Sequence, residues 1–113
     1  MEIVFCTEKL RKLCNSAADL QRKCGLQNAK RIQQRLSDLR AAASLADLSH
    51  IPPMRCHALI GDRAGQFAVD IDRTYRIVFE PADDPIPCMP DGGIDRKQIK
   101  AIRILDVNVD YHD

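Results

Sequence analysis

A chain of 113 residues that is 45% hydrophobic and 29% charged has the make-up of one globular domain with a single core. With no Trp and 4% aromatics, composition weighs against a single-strand binder built on rows of stacking rings; five cysteines at wide spacings, Cys6, Cys14, Cys24, Cys56 and Cys88, weigh against a zinc site or a disulfide framework. The net charge of +1 conceals an asymmetry: residues 1–76 hold 13 Lys or Arg against 8 Asp or Glu, and residues 77–113 hold 4 against 8, so a nucleic-acid partner is allowed but not demanded.

In chain order, the β-branched and aromatic run at Glu2–Phe5 predicts a strand. Thr7 can cap a helix carrying Leu10, Leu13, Cys14, Ala17 and Leu20, while Ser16 followed by Asp19 offers a competing start. Gly25 interrupts the pattern. From Leu26, the positions Ala29, Ile32, Leu36, Leu39, Ala43 and Ala46 recur at helical spacing, with Lys30, Arg31, Gln34, Arg35 and Arg40 on the remaining, wet circumference. Pro52 and Pro53 close the helical region, since Pro lacks a donor and holds its predecessor extended.

The period then changes to two. Residues 54–59 and 66–71 predict strands around a Gly-Asp-Arg-Ala-Gly turn at 61–65, with Phe67, Val69 and Ile71 on one face. A tight connection at Asp72 and Arg73 leads to a strand that sets Tyr75, Ile77 and Phe79 on one side and Arg76, Val78 and Glu80 on the other. Residues 81–93, with four Pro and two Gly, predict a surface loop. The last strand, from about Lys100 to Val109, is apolar on both faces and so central, with Val107 and Val109 its last inward positions. The expected architecture is α+β: a strand and two helices, the helices on one face of a mainly antiparallel sheet. Neither a basic leader followed by an apolar run nor a membrane-length apolar stretch is evident, which points to a cytosolic protein with reduced thiols.

The stretch "HALIGDRAGQFAVDI", the strand "YRIVFEP" and the terminal "DYH" resemble the HigB branch of the RelE/ParE superfamily of bacterial toxins, small partners in type II toxin-antitoxin pairs. The resemblance follows element order over nearly the whole chain and is tightest from His57 to Phe79 and at Asp110 to His112. It implies a ribosome-dependent mRNA endoribonuclease with His57, Asp110, Tyr111 and His112 as catalytic set and Arg76 and Arg63 as phosphate ligands. It also implies an antitoxin partner with a helix-turn-helix domain (HigA-like), through which the pair reaches operator DNA, and the ribosome and mRNA as targets. The chemistry asks for such residues on its own account: RNA cleavage through the 2′-OH needs a base, a proton donor for the leaving oxygen and positive charge at the phosphoryl group. Side chains supply acid and base, so no metal or other cofactor is expected. If the last strand runs straight, Asp110 and His112 face one way and Tyr111 the other, so a shared site requires a bend after Val109.

Each residue also has a plainer reading: His57 a solvated strand position, Arg76 an ion pair with Glu80 or an Asp, residues 110–112 an unordered tail. The chain departs from many relatives in having Ile60 in place of a Lys before the Gly-Asp-Arg turn, in its near-neutral charge and in the long 81–93 loop. The alternative function on the same fold is a non-catalytic binding module, either a ParE-like inhibitor of DNA gyrase or an inactive member that binds only antitoxin and operator.

Overall fold

The computed structural model describes residues 1–111. Strand β1 (Glu2–Phe5) leads to helices α1 (Glu8–Cys14), α2 (Ala17–Cys24) and α3 (Leu26–Ala41), followed by strands β2 (His57–Ala58), β3 (Phe67–Asp70), β4 (Tyr75–Pro81) and β5 (Ala101–Asp110). The sheet order is β1-β5-β4-β3-β2; β1 runs parallel to β5 and the other pairs are antiparallel. No helix of the described residues is long and apolar enough to cross a membrane.

Three helices stand where two were expected, because both candidate caps are used. Thr7 Oγ1 accepts from the Leu10 backbone N–H at the start of α1, and Ser16 Oγ accepts from that of Asp19 at the start of α2. Helix α3 ends at Ala41 rather than running through Ala46: Ala42 is extended, and a 3-10 turn at Leu45–Asp47 buries Leu45 in the core. Residues 54–59 do not form a full strand either. Arg55 adopts a left-handed φ of 43°, so only His57 and Ala58 pair with β3.

The helices cover one face of the sheet. Leu10, Leu20, Ile32, Leu36 and Leu39 pack with Phe67, Val69, Ile77, Phe79, Ile102 and Ile104 in one cluster, and Phe67 and Phe79 stack at 6.0 Å between centroids. The alternation read for β3 and β4 therefore holds, and β5 lies between β1 and β4 as its two-sided hydrophobicity requires. Ala68 and Val78 are fully buried yet lie outside this cluster, on the opposite face. Arg35 leaves the wet side of α3 predicted for it: it is buried, and its Nε donates to the Asp70 carbonyl at 2.7 Å.

Candidate functional site

The sheet face away from the helices gathers side chains distant in sequence. Residues paired in register share a face, so Asp70, Arg76 and Val109, successive partners on β3, β4 and β5, point together, as does His57 opposite Ala68. Tyr111 lies two residues beyond Val109 and returns to that face, its backbone N–H donating to Thr74 O at 2.9 Å.

Two irregularities in the β4–β5 pairing set this phase: from Phe79–Ile104 to Val78–Asp106, β4 advances one residue and β5 two, which brings Val107 into the core. Between the pairs Val78–Asp106 and Arg76–Val109, β4 advances two residues and β5 three, with Asn108 left-handed at φ 57°. The Asn108 carboxamide oxygen accepts from Asn28 Nδ2 of α3 at 3.1 Å. Val107 stays in the core while Val109 turns to the open face, so the two are not both inward as the strand pattern suggested. The second phase change comes at Asn108, before the position where a bend was expected, and restores the alternation set by Ile102 and Ile104, with Tyr111 rather than Asp110 on the open face. Asp110 pairs with Tyr75, a residue packed against the core, and so lies on the other face. His112 lies outside the described residues.

Tyr111 is the hub. Its hydroxyl donates to Asp70 Oδ1 and accepts from Arg55 Nη2 at 2.6 Å, while Arg55 grips Asp70 through Nε to Oδ2 at 2.6 Å and Nη2 to Oδ1 at 3.2 Å. The ring lies nearly parallel to the His57 imidazole, 16° between planes and 6.2 Å between centroids. The guanidinium carbons of Arg76 and Arg55 sit 4.6 Å and 5.4 Å from the ring centroid, within cation–π range. His57 Nδ1 is 2.8 Å from the Arg55 carbonyl oxygen. A carbonyl only accepts, so Nδ1 carries a proton, and of the two neutral tautomers this selects the one with Nε2 as acceptor, the arrangement a general base needs.

Arg76 is 8% exposed, and among the described residues its Nε has no hydrogen-bond partner. The ion pairs open to it in sequence are taken: Glu80 binds Arg103 at 2.8 Å, and Asp70 binds Arg55. Its pKa is pushed below the usual guanidinium range, first by burial and then by the charge of Arg63; Asp70 opposes this, and Arg55 adds a smaller push. Arg55, by contrast, is raised by its hydrogen bond to Asp70. Arg76 thus has two further guanidiniums, Arg63 and Arg55, and one carboxylate, Asp70, acting on it, an excess of positive charge that attracts an anion. Arg63 Nη1 donates to Gln66 Oε1 at 3.2 Å, and Gln66 also lines a neighbouring open cleft of about 400 Å³ with Glu80, Asp83 and Arg103. Ile60, beside the Gly61–Arg63 turn, is 89% exposed.

His57, Arg76 and Tyr111 therefore lie together, with Arg63 close enough to act on Arg76 electrostatically. Sequence reasoning missed Arg55 and Asp70. Asp70 was within reach: a hairpin centred on Arg73 places residue 70 opposite residue 76. Arg55 carried no signal, since nothing in the sequence marks an arginine for the left-handed region.

No protein-family model matches this chain, and no curated protein sequence matches it. Solved structures do. The YoeB/ParE toxin from Agrobacterium tumefaciens superposes with a TM-score of 0.57 at 12% identity, over 98% of this chain and 100% of that one. The YoeB-YefM complex from Staphylococcus aureus and a heterotetrameric YoeB-YefM toxin-antitoxin complex from the same organism each give 0.56 at 13% identity, over 98% of both chains. At this identity the likeness is one of backbone architecture: the chain is built on the fold of the YoeB/ParE toxins.

Proposed function

We propose that this protein is a HigB-like toxin of a type II toxin-antitoxin pair, an endoribonuclease that cuts mRNA on translating ribosomes and so stops translation. The observation that carries the reading is Arg76: a buried guanidinium whose Nε has no hydrogen-bond partner among the described residues, beside Arg63 and a His57 whose Nδ1 lies against the Arg55 carbonyl. A buried guanidinium with an unmet donor is costly, and phosphate oxygens are acceptors that nucleic acid brings. His57 takes the 2′-OH proton, and Arg76 and Arg63 hold the phosphoryl oxygens as charge builds on them. His112 supplies the proton to the leaving 5′ oxygen, and Asp110, on the other face of the strand, is left out of the proposed catalytic set.

The fold shared with YoeB of YoeB-YefM complexes supports an antitoxin partner; the expected one carries a helix-turn-helix domain and reaches operator DNA for both. Primer extension on mRNA engaged by translating ribosomes tests the function. Wild type should give discrete cuts that vanish without ribosomes, and His57→Ala, Arg76→Ala and His112→Ala should each lower cutting at least about 100-fold. No cuts by folded wild-type protein would sink the nuclease reading and turn attention to a gyrase-inhibiting or purely antitoxin-binding module.

A further inference from the structure

We infer that Arg55 and Asp70 are positioning residues that clamp Tyr111 against His57 and Arg76, so that Tyr111 contributes its ring to the site and not a transferable hydroxyl proton. The consequence for catalysis rests on the nuclease reading; the clamp does not.

A phenol has one proton to donate, and here it points at Asp70 Oδ1 while Arg55 Nη2 fills an acceptor position on the same oxygen. Asp70 is itself held in the Arg55 fork, so hydroxyl, carboxylate and guanidinium close a small cycle of hydrogen bonds. To protonate a leaving oxygen, the hydroxyl would first have to leave that cycle. Both clamp members are anchored through the main chain. The Asp70 carbonyl accepts from Arg35 Nε of α3 at 2.7 Å and its N–H donates to Met54 O at 2.9 Å, while the Arg55 N–H donates to Ile51 O at 3.0 Å. The ring thus held keeps the Arg76 guanidinium 4.6 Å from its centroid and lies alongside His57. Asp70 also offsets one of the three positive charges, so the clamp shapes the field at the site as well as its geometry.

Tyr75 and Tyr111 are the only tyrosines, and Trp is absent. In a Tyr75→Phe background, the tyrosine band of the near-ultraviolet circular dichroism spectrum reports Tyr111 alone. Arg55→Ala and Asp70→Asn should each collapse that band toward the Tyr111→Ala level while the far-ultraviolet spectrum and the cooperative melt persist. A band unchanged in both variants overturns the clamp.

A second measurement separates ring from hydroxyl. In single-turnover cleavage on ribosomes, Asp70→Asn, Tyr111→Phe and the double variant should slow cutting by the same factor, about tenfold, because all three break one unit. If Tyr111→Phe loses far more than Asp70→Asn and the two losses multiply, the hydroxyl is a proton donor and the inference is overturned. If wild type does not cleave at all, the proposed function falls while the dichroism still decides the clamp.

Discussion

At the scale of single residues, the phosphate-binding role proposed for Arg76 predicts that function and stability pull apart there. Its side chain sits on a fully buried floor of Ala68 and Val78, in a central strand, with two other arginines near it. Replacing a buried, incompletely paired charge by an apolar group of similar length is commonly neutral or stabilising. Arg76→Met should therefore raise the melting temperature by a few degrees, roughly the equivalent of 1 kcal/mol in a domain of this size. Inorganic phosphate should stabilise wild type over chloride at equal ionic strength by more than it stabilises Arg76→Met, since the general salting-out effect of phosphate acts on both. Thermal melts in the two salts check both halves; a variant that melts lower and gains as much from phosphate as wild type would show Arg76 to be a structural residue. Arg76 was legible in the sequence as a polar position on a strand. Its burial was not, because burial depends on which elements cover the open face.

At the scale of elements, the end of β5 is governed by one position. Counted from Val107, which an earlier irregularity at the Val78–Phe79 pairing turns into the core, period two would send Val109 and Tyr111 toward the helices as well. The bulge at Asn108 reverses the phase, and Asn is among the few side chains that enter the left-handed region at modest cost. Asn108→Gly should lose only the hydrogen bond to Asn28, whereas Asn108→Val should cost about 2 kcal/mol more through backbone strain. Urea unfolding midpoints measure the difference, and equal losses for Gly and Val would mean that the φ of residue 108 carries no strain. The straight strand expected from sequence failed here because a bulge is a property of a strand pair. Its position follows from how β4 and β5 align, and single-strand periodicity carries no record of that alignment.

At the scale of the whole molecule, the core stores reduced thiols. Burial pushes Cys14 and Cys56 up to about 11. On unfolding, these thiols regain an ordinary pKa of about 8.5. Below that pH both states keep the proton and no stability is lost on this account. Above it the unfolded chain releases its protons first, so stability falls as pH rises from about 8.5 toward 11. The urea midpoint should drop over that range, and its slope against pH should be shallower in a Cys14→Ala, Cys56→Ala protein; an unchanged slope would show that the thiols do not drive it. Cys6 and Cys88 are exposed and should react with a thiol reagent at pH 8 well before the buried pair.

The sequence by itself determined the α+β class, the succession of a strand, a helical region and four strands, the apolar faces of α3, β3 and β4, and the central place of β5. These follow from local periodicity, caps and Pro or Gly breaks, which act between residues a few positions apart. It also marked His57, Asp110, Tyr111, His112, Arg63 and Arg76 as chemically suited side chains, of which Asp110 lies on the other face and His112 outside the described residues. Only the tertiary structure decided that Arg55 and Asp70, 15 residues apart, grip Tyr111, a further 41 residues on. It likewise decided that Tyr111 rather than Asp110 faces the site. Those outcomes depend on sheet register, on a bulge and on a left-handed arginine, each set by pairing between distant segments whose energies no local pattern encodes.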